Sequence, residues 1–175
     1  MRSGCPINLA TEVLGDRWSL VILRDIMFGG SRTYRDLLTH SLEGIATNIL
    51  AARLRHLQAE GFISAAPDPG HRQRTIYSLT EKAIALVPVM ASLGEWGVQF
   101  LPVTPLLASR AKALAAGGQP MWQAFMDELR AIHLGVAAAP DTPSVLAALD
   151  AAYRRAERRL TETAERQKRT RREPV

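Results

Sequence analysis

Few side chains in this sequence are of the kinds that do chemistry. It has one cysteine, Cys5, and four histidines, His40, His56, His71 and His133, none at a metal-ligand spacing from another. No glycine-rich phosphate loop accompanies them, so no catalytic, metal or cofactor site is expected and an enzyme is not indicated. The remaining candidates are hydrogen-bonding and cationic. Asn48 and Arg55 fall in one helical segment, and His71, Arg72 and Arg74 in one loop. An Asn can pair with adenine, and an Arg with guanine or a phosphate. Arg72, nearest the loop tip, suits a phosphate or the minor groove. Arg74 either joins it or braces the loop against Asp68.

Those residues need elements to position them. With Leu50 at zero on a helical wheel of 46–60, Leu54, Leu57 and the terminal Gly61 lie within about 40° of it, a buried stripe. Asn48, Ala52, Arg55 and Ala59 lie opposite, with Ala51 and His56 on the flanks. Small and hydrogen-bonding residues on one face suit a helix entering a major groove about 12 Å wide. Arg53 sits nearer the buried stripe, where an intramolecular ion pair competes with a DNA contact. Taken alone, the segment also reads as an ordinary amphipathic helix.

The flanking order narrows the choice. Cys5-Pro6 opens a first helix with Ile7, Ala10, Val13 and Leu14 on one face. Gly15 stops it, and Asp16 is the expected cap of a helix to about Phe28, with Trp18, Val21, Ile22 and Ile26 inward. A short helix within 31–42 and the turn Glu43-Gly44-Ile45 lead into 46–60. Two strand-like runs, 62–66 and 75–79, then flank the loop 67–74, rich in turn formers and cations. Thr80 is expected to cap a helix to about Phe100, bent at Pro88. Helix, short helix, turn, helix, strand, basic loop, strand is the order of a winged helix-turn-helix. Pro102-Val103-Thr104-Pro105 marks a boundary, after which alanine-rich helices span about 121–134 and 143–168. The expected organisation is mainly α with a small β-hairpin wing: a winged helix-turn-helix domain over 1–101 and a helical C-terminal extension over 102–175.

Bulk properties agree. The 175 residues are 47% hydrophobic and 22% charged, ordinary for a soluble domain with an appendage. The longest apolar runs are broken by charge, as at Arg24-Asp25, and fall short of the ~18 residues a membrane span needs. Met1 to Pro6 lacks a signal-peptide core, and one cysteine excludes an internal disulfide, so a cytoplasmic protein with no membrane partner is expected. The net charge is +5. Residues 1–101 carry ten Lys/Arg against nine Asp/Glu, and residues 102–175 twelve against eight. Much of the excess falls in Arg166-Gln167-Lys168-Arg169-Thr170-Arg171-Arg172, which suits phosphates or a solvated tail.

Several spaced motifs resemble the HxlR family, a branch of the MarR-like winged-helix regulators. They are Cys5-Pro6-Ile7, Gly15-Asp16-Arg17-Trp18, Leu20 to Arg24, Gly44-Ile45, Leu50 to Leu57, Glu60 to Ile63, Tyr77 to Thr80 and Glu95-Trp96-Gly97. The resemblance covers residues 5 to 97. It implies a bacterial regulator, repressor or activator, that binds double-stranded DNA as a homodimer and often answers to an electrophile or oxidant. On this reading the DNA-binding set is Thr47, Asn48, Ala52, Arg53 and Arg55 from the helix with Arg72 and Arg74 from the wing. The first and post-wing helices form the interface, through Leu9, Val13, Val87, Met90, Leu93 and Trp96. Cys5 stands where some members carry a redox-sensing thiol, and a structural cysteine is the other reading. Ala46 departs from the usual serine cap, Ala83 from a glycine, and Asn48 from a lysine. The resemblance stops short of 102–175, which reads as added dimer surface, a ligand pocket or a brace. Trp122, Phe125, Met126 and Leu129 share a face there, suited to a core or a pocket lining. A winged-helix protein-interaction module without DNA binding is the alternative.

Overall fold

The periodicities before residue 60 and the extended runs after it both become structure. The computed structural model describes residues 3–137 and 141–170, apart from the side chains of residues 72 and 168–170. In chain order it has α1 (Pro6–Leu14), α2 (Arg17–Gly29), α3 (Tyr34–Thr39), α4 (Thr47–Ala59), β1 (Ile63–Asp68), β2 (His71–Leu79), α5 (Glu81–Ile84), α6 (Val87–Phe100), α7 (Pro105–Leu134) and α8 (Val145–Thr170). The expected class holds: mostly helix, with one antiparallel hairpin. Packing divides the chain at other points than composition does. One unit comprises the chain up to Leu86 together with Leu129–Ala137, and the second comprises Val87–Glu128 together with α8.

In the first unit, Asp16 caps α2, its Oδ1 accepting from the amides of Trp18 at 2.9 Å and Ser19 at 3.0 Å. The buried face of α2 is Ser19, Ile22, Leu23, Ile26 and Met27. This is one position round from the expected set, so Trp18 and Val21 are only half-buried. Leu50, Leu54 and Leu57 are the buried face of α4, as the wheel requires. With Leu37, Ile45, Phe62, Ile63, Leu79, Ile84 and Leu129 they make the apolar core of this unit. Each fully buried Leu or Ile contributes roughly 1.5–3 kcal/mol. By contrast α1 buries none of its residues, and Ile7 is 75% exposed.

The step from α4 into the hairpin depends on Gly61, at φ +72°. Its amide donates to Gln58 at 3.1 Å and that of Phe62 to Leu57 at 2.8 Å, the paired bonds of a Schellman ending. A side chain would be strained at that φ. The hairpin register runs from Ile63↔Leu79 to Asp68↔His71, with a bulge at Pro67/Asp68. A third segment joins it: Thr33 bridges Ile76, and the Tyr77 amide donates to the Arg32 carbonyl at 2.7 Å. The sequence reading treated 31–33 only as a helix boundary.

Thr80 does not cap with its side chain. Its hydroxyl donates to the carbonyls of Gly61 at 2.7 Å and Phe62 at 3.1 Å, tying the end of β2 to the start of β1. The helix expected from 80 to 100 is two helices, broken at residues 85–86, ahead of Pro88. The stretch Glu81–Phe100 is, by length and composition, apolar enough to cross a membrane, with a mean hydropathy of 1.3, which the run-length argument missed. The break leaves α6 with 14 residues, about 21 Å at 1.5 Å per residue, against a hydrocarbon core of about 30 Å.

In the second unit, α7 is interrupted at Gly118, whose φ of +55° and ψ of −158° are not helical. Phe125, Leu114, Leu149 and Val145 are buried. Glu128 caps α8 by accepting from the amides of Val145 at 2.7 Å and Leu146 at 3.1 Å. Arg110 anchors the same helix, 2.6 Å from Asp150 and stacked 4.8 Å from the Tyr153 ring. Of the expected apolar face, Phe125 and Leu129 are buried, while Trp122 and Met126 are half-buried.

Candidate nucleic-acid interface

The two helices of the motif are α3 and α4, and their turn is fixed from α2. The Arg24 guanidinium grips both Glu43 oxygens, at 2.7 and 2.8 Å, and the Asp25 carboxylate at 2.7 Å. The hydrogen bond from Arg24 holds the Glu43 carboxyl below its ordinary value, and Glu43 in turn holds Arg24 charged. Burial pushes Asp25 upward in spite of the same arginine. The Tyr34 hydroxyl donates to the Thr47 carbonyl at 2.8 Å, fastening α3 to the first residue of α4. A turn held at both ends presents α4 at a fixed angle, as groove recognition requires.

Over its buried leucines, α4 presents Thr47, Asn48 and Arg55 exposed, with the half-buried Ala52 on the same helix. Ala46 is the N-cap and offers no side-chain acceptor, so the leading amides of α4 are uncapped. Arg53 does not join this face. Its Nη1 lies 3.2 Å from Asp16 Oδ2, so of the two roles left open for Arg53, which was counted in the DNA-binding set, the intramolecular pair is the one that forms here. Burial works to raise the Asp16 pKa, but hydrogen bonds from Ser19, Trp18 and Arg53 outweigh it and leave the carboxyl below its ordinary value. His56 also turns inward, its Nε2 hydrogen-bonded to the Val13 carbonyl at 2.9 Å.

On the wing, Asp68 organises the loop. Its Oδ1 accepts from the Gly70 amide at 2.8 Å, and its Oδ2 accepts from Arg74 Nε. The Gly70 and Arg74 bonds together hold its carboxyl below the usual range. Arg74 is thus a brace, with half of its side chain still exposed. The Arg72 side chain lies outside the described residues. His71, Gln73 and Arg74 line an open groove with Thr33, Arg35 and Asp36 of the α3 start, bringing Arg35 beside the wing. The sequence reading missed Arg35, because only the fold brings the start of α3 beside the wing. It also missed Arg32, which donates to the Tyr77 carbonyl at 3.2 Å and to the Ser78 hydroxyl.

The other expected residues take varied places. Cys5 is exposed, at the N-cap of α1, with Pro6 following. Leu9 is exposed and Val13 half-buried. On α6, Leu93 is 48% and Trp96 51% exposed, and Met90 is half-buried. Val87 is fully buried within its own chain and offers no surface to a partner, which corrects its place among the expected interface residues.

The model of the HxlR-like helix-turn-helix family matches residues 13–105, just over half of the chain. The chain belongs to that family. The match includes α2 to α6 and leaves out α8. An uncharacterised HTH-type transcriptional regulator of Synechocystis is 33% identical over 97 residues, 55% of this chain and 70% of that protein. One from Mycobacterium tuberculosis is 35% identical over 99 residues, 57% of this chain and 61% of its own length. The HTH-type transcriptional regulator YodB of Bacillus subtilis is 32% identical over 97 residues, 55% of this chain and 85% of YodB. Among solved structures, the putative transcription factor PA1607 superposes with a TM-score of 0.53 at 36% identity, over 59% of this chain and 70% of that one. An HxlR-like helix-turn-helix protein is a DNA-binding protein of transcription regulation. Every residue of the α4 face and of the wing lies inside the matched segment.

Proposed function

We propose that this HxlR-like protein regulates transcription by placing α4 in the major groove of an operator, with the wing on the adjacent backbone. The observation that carries the reading is the face of α4. Thr47, Asn48 and Arg55 stand exposed around the small Ala52, while Leu50, Leu54 and Leu57 are buried on the other side. Asn48 reads adenine and Arg55 reads guanine or a phosphate, while Arg53 and Arg74 hold the frame. The wing cation for the phosphate is Arg72, joined by Arg35 from the groove beneath it.

The protein acts as a homodimer. The exposed apolar side chains of α1 (Ile7, Leu9) and of α6 (Leu93, Trp96) are the surfaces offered to the second copy. Two copies then meet half-sites one or more helical turns apart. Cys5, exposed at the start of α1, is where a reactive electrophile or oxidant would act on that dimer. Diamide should release the wild type from DNA and leave Cys5→Ser bound.

The test is selection of a binding site from random duplexes, followed by titration of Asn48→Ala and Arg55→Ala against it. Each should cost roughly 1–3 kcal/mol of discrimination between the selected and a scrambled site. Variants that keep the wild-type preference would place base reading elsewhere.

A further inference from the structure

All of the net charge lies at one end. Residues 154–175 hold nine Lys and Arg against four Glu, and residues 1–153 hold thirteen cations against thirteen anions. The chain apart from that segment is neutral, although it contains the whole helix-turn-helix and its wing.

Residues 154–170 of it belong to α8. Val145, Leu149 and Ala152 bury the first two turns of α8, and Asp150 and Tyr153 are held by Arg110. Burial then stops. From Glu157 to Gln167 every side chain is exposed, yet the helix continues to Thr170. Beyond Tyr153 it runs about 25 Å at 1.5 Å per residue. A bare helix of that length is marginal in water, so its cost in ordering needs an offset. Arg154, Arg155, Arg158 and Arg159 are all exposed and sit within a sector of about 140° on the wheel, while Ala156 and Leu160 face the other way.

We propose that this part of α8 is a second DNA-binding element, laying Arg154, Arg155, Arg158 and Arg159 along the phosphates of the duplex. Charge complementarity selects the occupant. A second copy of the same helix would bring its own excess of cations against this one, whereas a duplex presents one negative charge per ~1.7 Å. The element reads no bases, since guanidinium–phosphate contacts are indifferent to sequence. It supplies affinity and encounter rate, and leaves the choice of site to α4. This rests on the reading that the chain binds DNA.

The test uses the full chain with Arg154, Arg155, Arg158 and Arg159 all changed to Gln, a good helix former that removes charge and leaves the helix. Circular dichroism checks that helical content is kept. Binding to the selected site and to a scrambled duplex is followed by fluorescence anisotropy between 50 and 200 mM salt. Loss of four phosphate contacts should lower the slope of log K against log salt by roughly 3–4 per bound chain. Affinity for the selected and the scrambled duplex should fall by the same factor, with their ratio unchanged. An unchanged slope overturns the proposal. A fallen ratio also overturns it, since the arginines would then be reading sequence. So does an unchanged slope with a shift from dimer to monomer, which would make the segment a contact between copies. The parent reading fails separately: Asn48→Ala and Arg55→Ala would leave the ratio untouched while the four-Gln variant still flattens the slope.

Discussion

Arg53 is a cation on α4 that the structure turns towards Asp16 and away from the exposed face of Asn48 and Arg55, and replacing it tests that assignment directly. The pair with Asp16 spans 3.2 Å, with about a third of each side chain open to solvent. A pair so exposed contributes about 0.2–1 kcal/mol. Asp16 also caps α2 through two amides, and losing such a cap costs about 1 kcal/mol. Asp16→Ala should therefore destabilise by about 1–2 kcal/mol. Asp16→Asn, which keeps a cap acceptor, and Arg53→Met, which keeps the apolar stem, should each cost about 0.5 kcal/mol. The double variant Asp16→Asn/Arg53→Met should cost no more than the larger single one, because each change removes the same contact. Urea unfolding followed by circular dichroism measures all four. The Asp16 carboxyl sits below its ordinary value, so its stabilisation is present above the unfolded carboxylate range and is lost as pH falls through the folded value. That acid limb should be shallower in Asp16→Asn. Operator affinity of Arg53→Met should stay within about threefold of wild type, under 1 kcal/mol. A tenfold loss of affinity at unchanged stability would refute the argument, since Arg53 would then be leaving Asp16 for DNA.

Three further outcomes are expected. His133 is pushed down to about 4 by burial and by Arg32, and its Nδ1 finds no partner among the described residues. It is neutral in the fold and takes up a proton on unfolding, so stability should fall as pH drops from 6.5 towards 4. The full shift is worth about 3 kcal/mol and the half-buried ring keeps about 1–2 of it; His133→Gln should lose this limb in pH-dependent melts. Arg24→Ala should cost about 1–3 kcal/mol, because it strands the largely buried Asp25 as well as freeing Glu43, and Glu43→Gln should cost less in the same urea titration. Iodoacetamide should label Cys5 as fast in the native protein as in urea, and protection in the native state would contradict its exposed position.

Much of this architecture was legible because it depends on local signals. The leucine stripe of α4, the Asp16 cap and the turn formers of the wing each act within a few residues, so spacing reveals them. The face of α2 was misplaced by one position because Trp18 and Val21 are apolar enough to pass for core, while Ser19 is buried by its bond to the cap. Arg32, Arg35 and Tyr34 were not legible. Their roles come from partners 13 to 100 positions away, brought near only by the fold. Val87 fell the same way: its apolar character suits an interface and a core equally, and only packing decides between them. The α8 helix was expected, but nothing in its periodicity showed that burial would end at residue 156.

The winged unit is completed by residues far along the chain. Leu129 is fully buried in it, Arg130 donates to Glu81 at 3.0 Å, and Arg32 reaches the Ile132 carbonyl at 3.4 Å. Forty-two residues, 87–128, are made between Leu86 and this closing piece. At roughly 5–20 residues per second, a nascent chain spends about 2–8 s with its wing synthesised and its last core residue still unmade. During that interval the space for Leu129 is open, and the Glu81 carboxylate has no Arg130 to meet it. A ribosome stalled in that stretch would hold α4 on a core that lacks its final side chain, and completion of this unit waits on the end of α7.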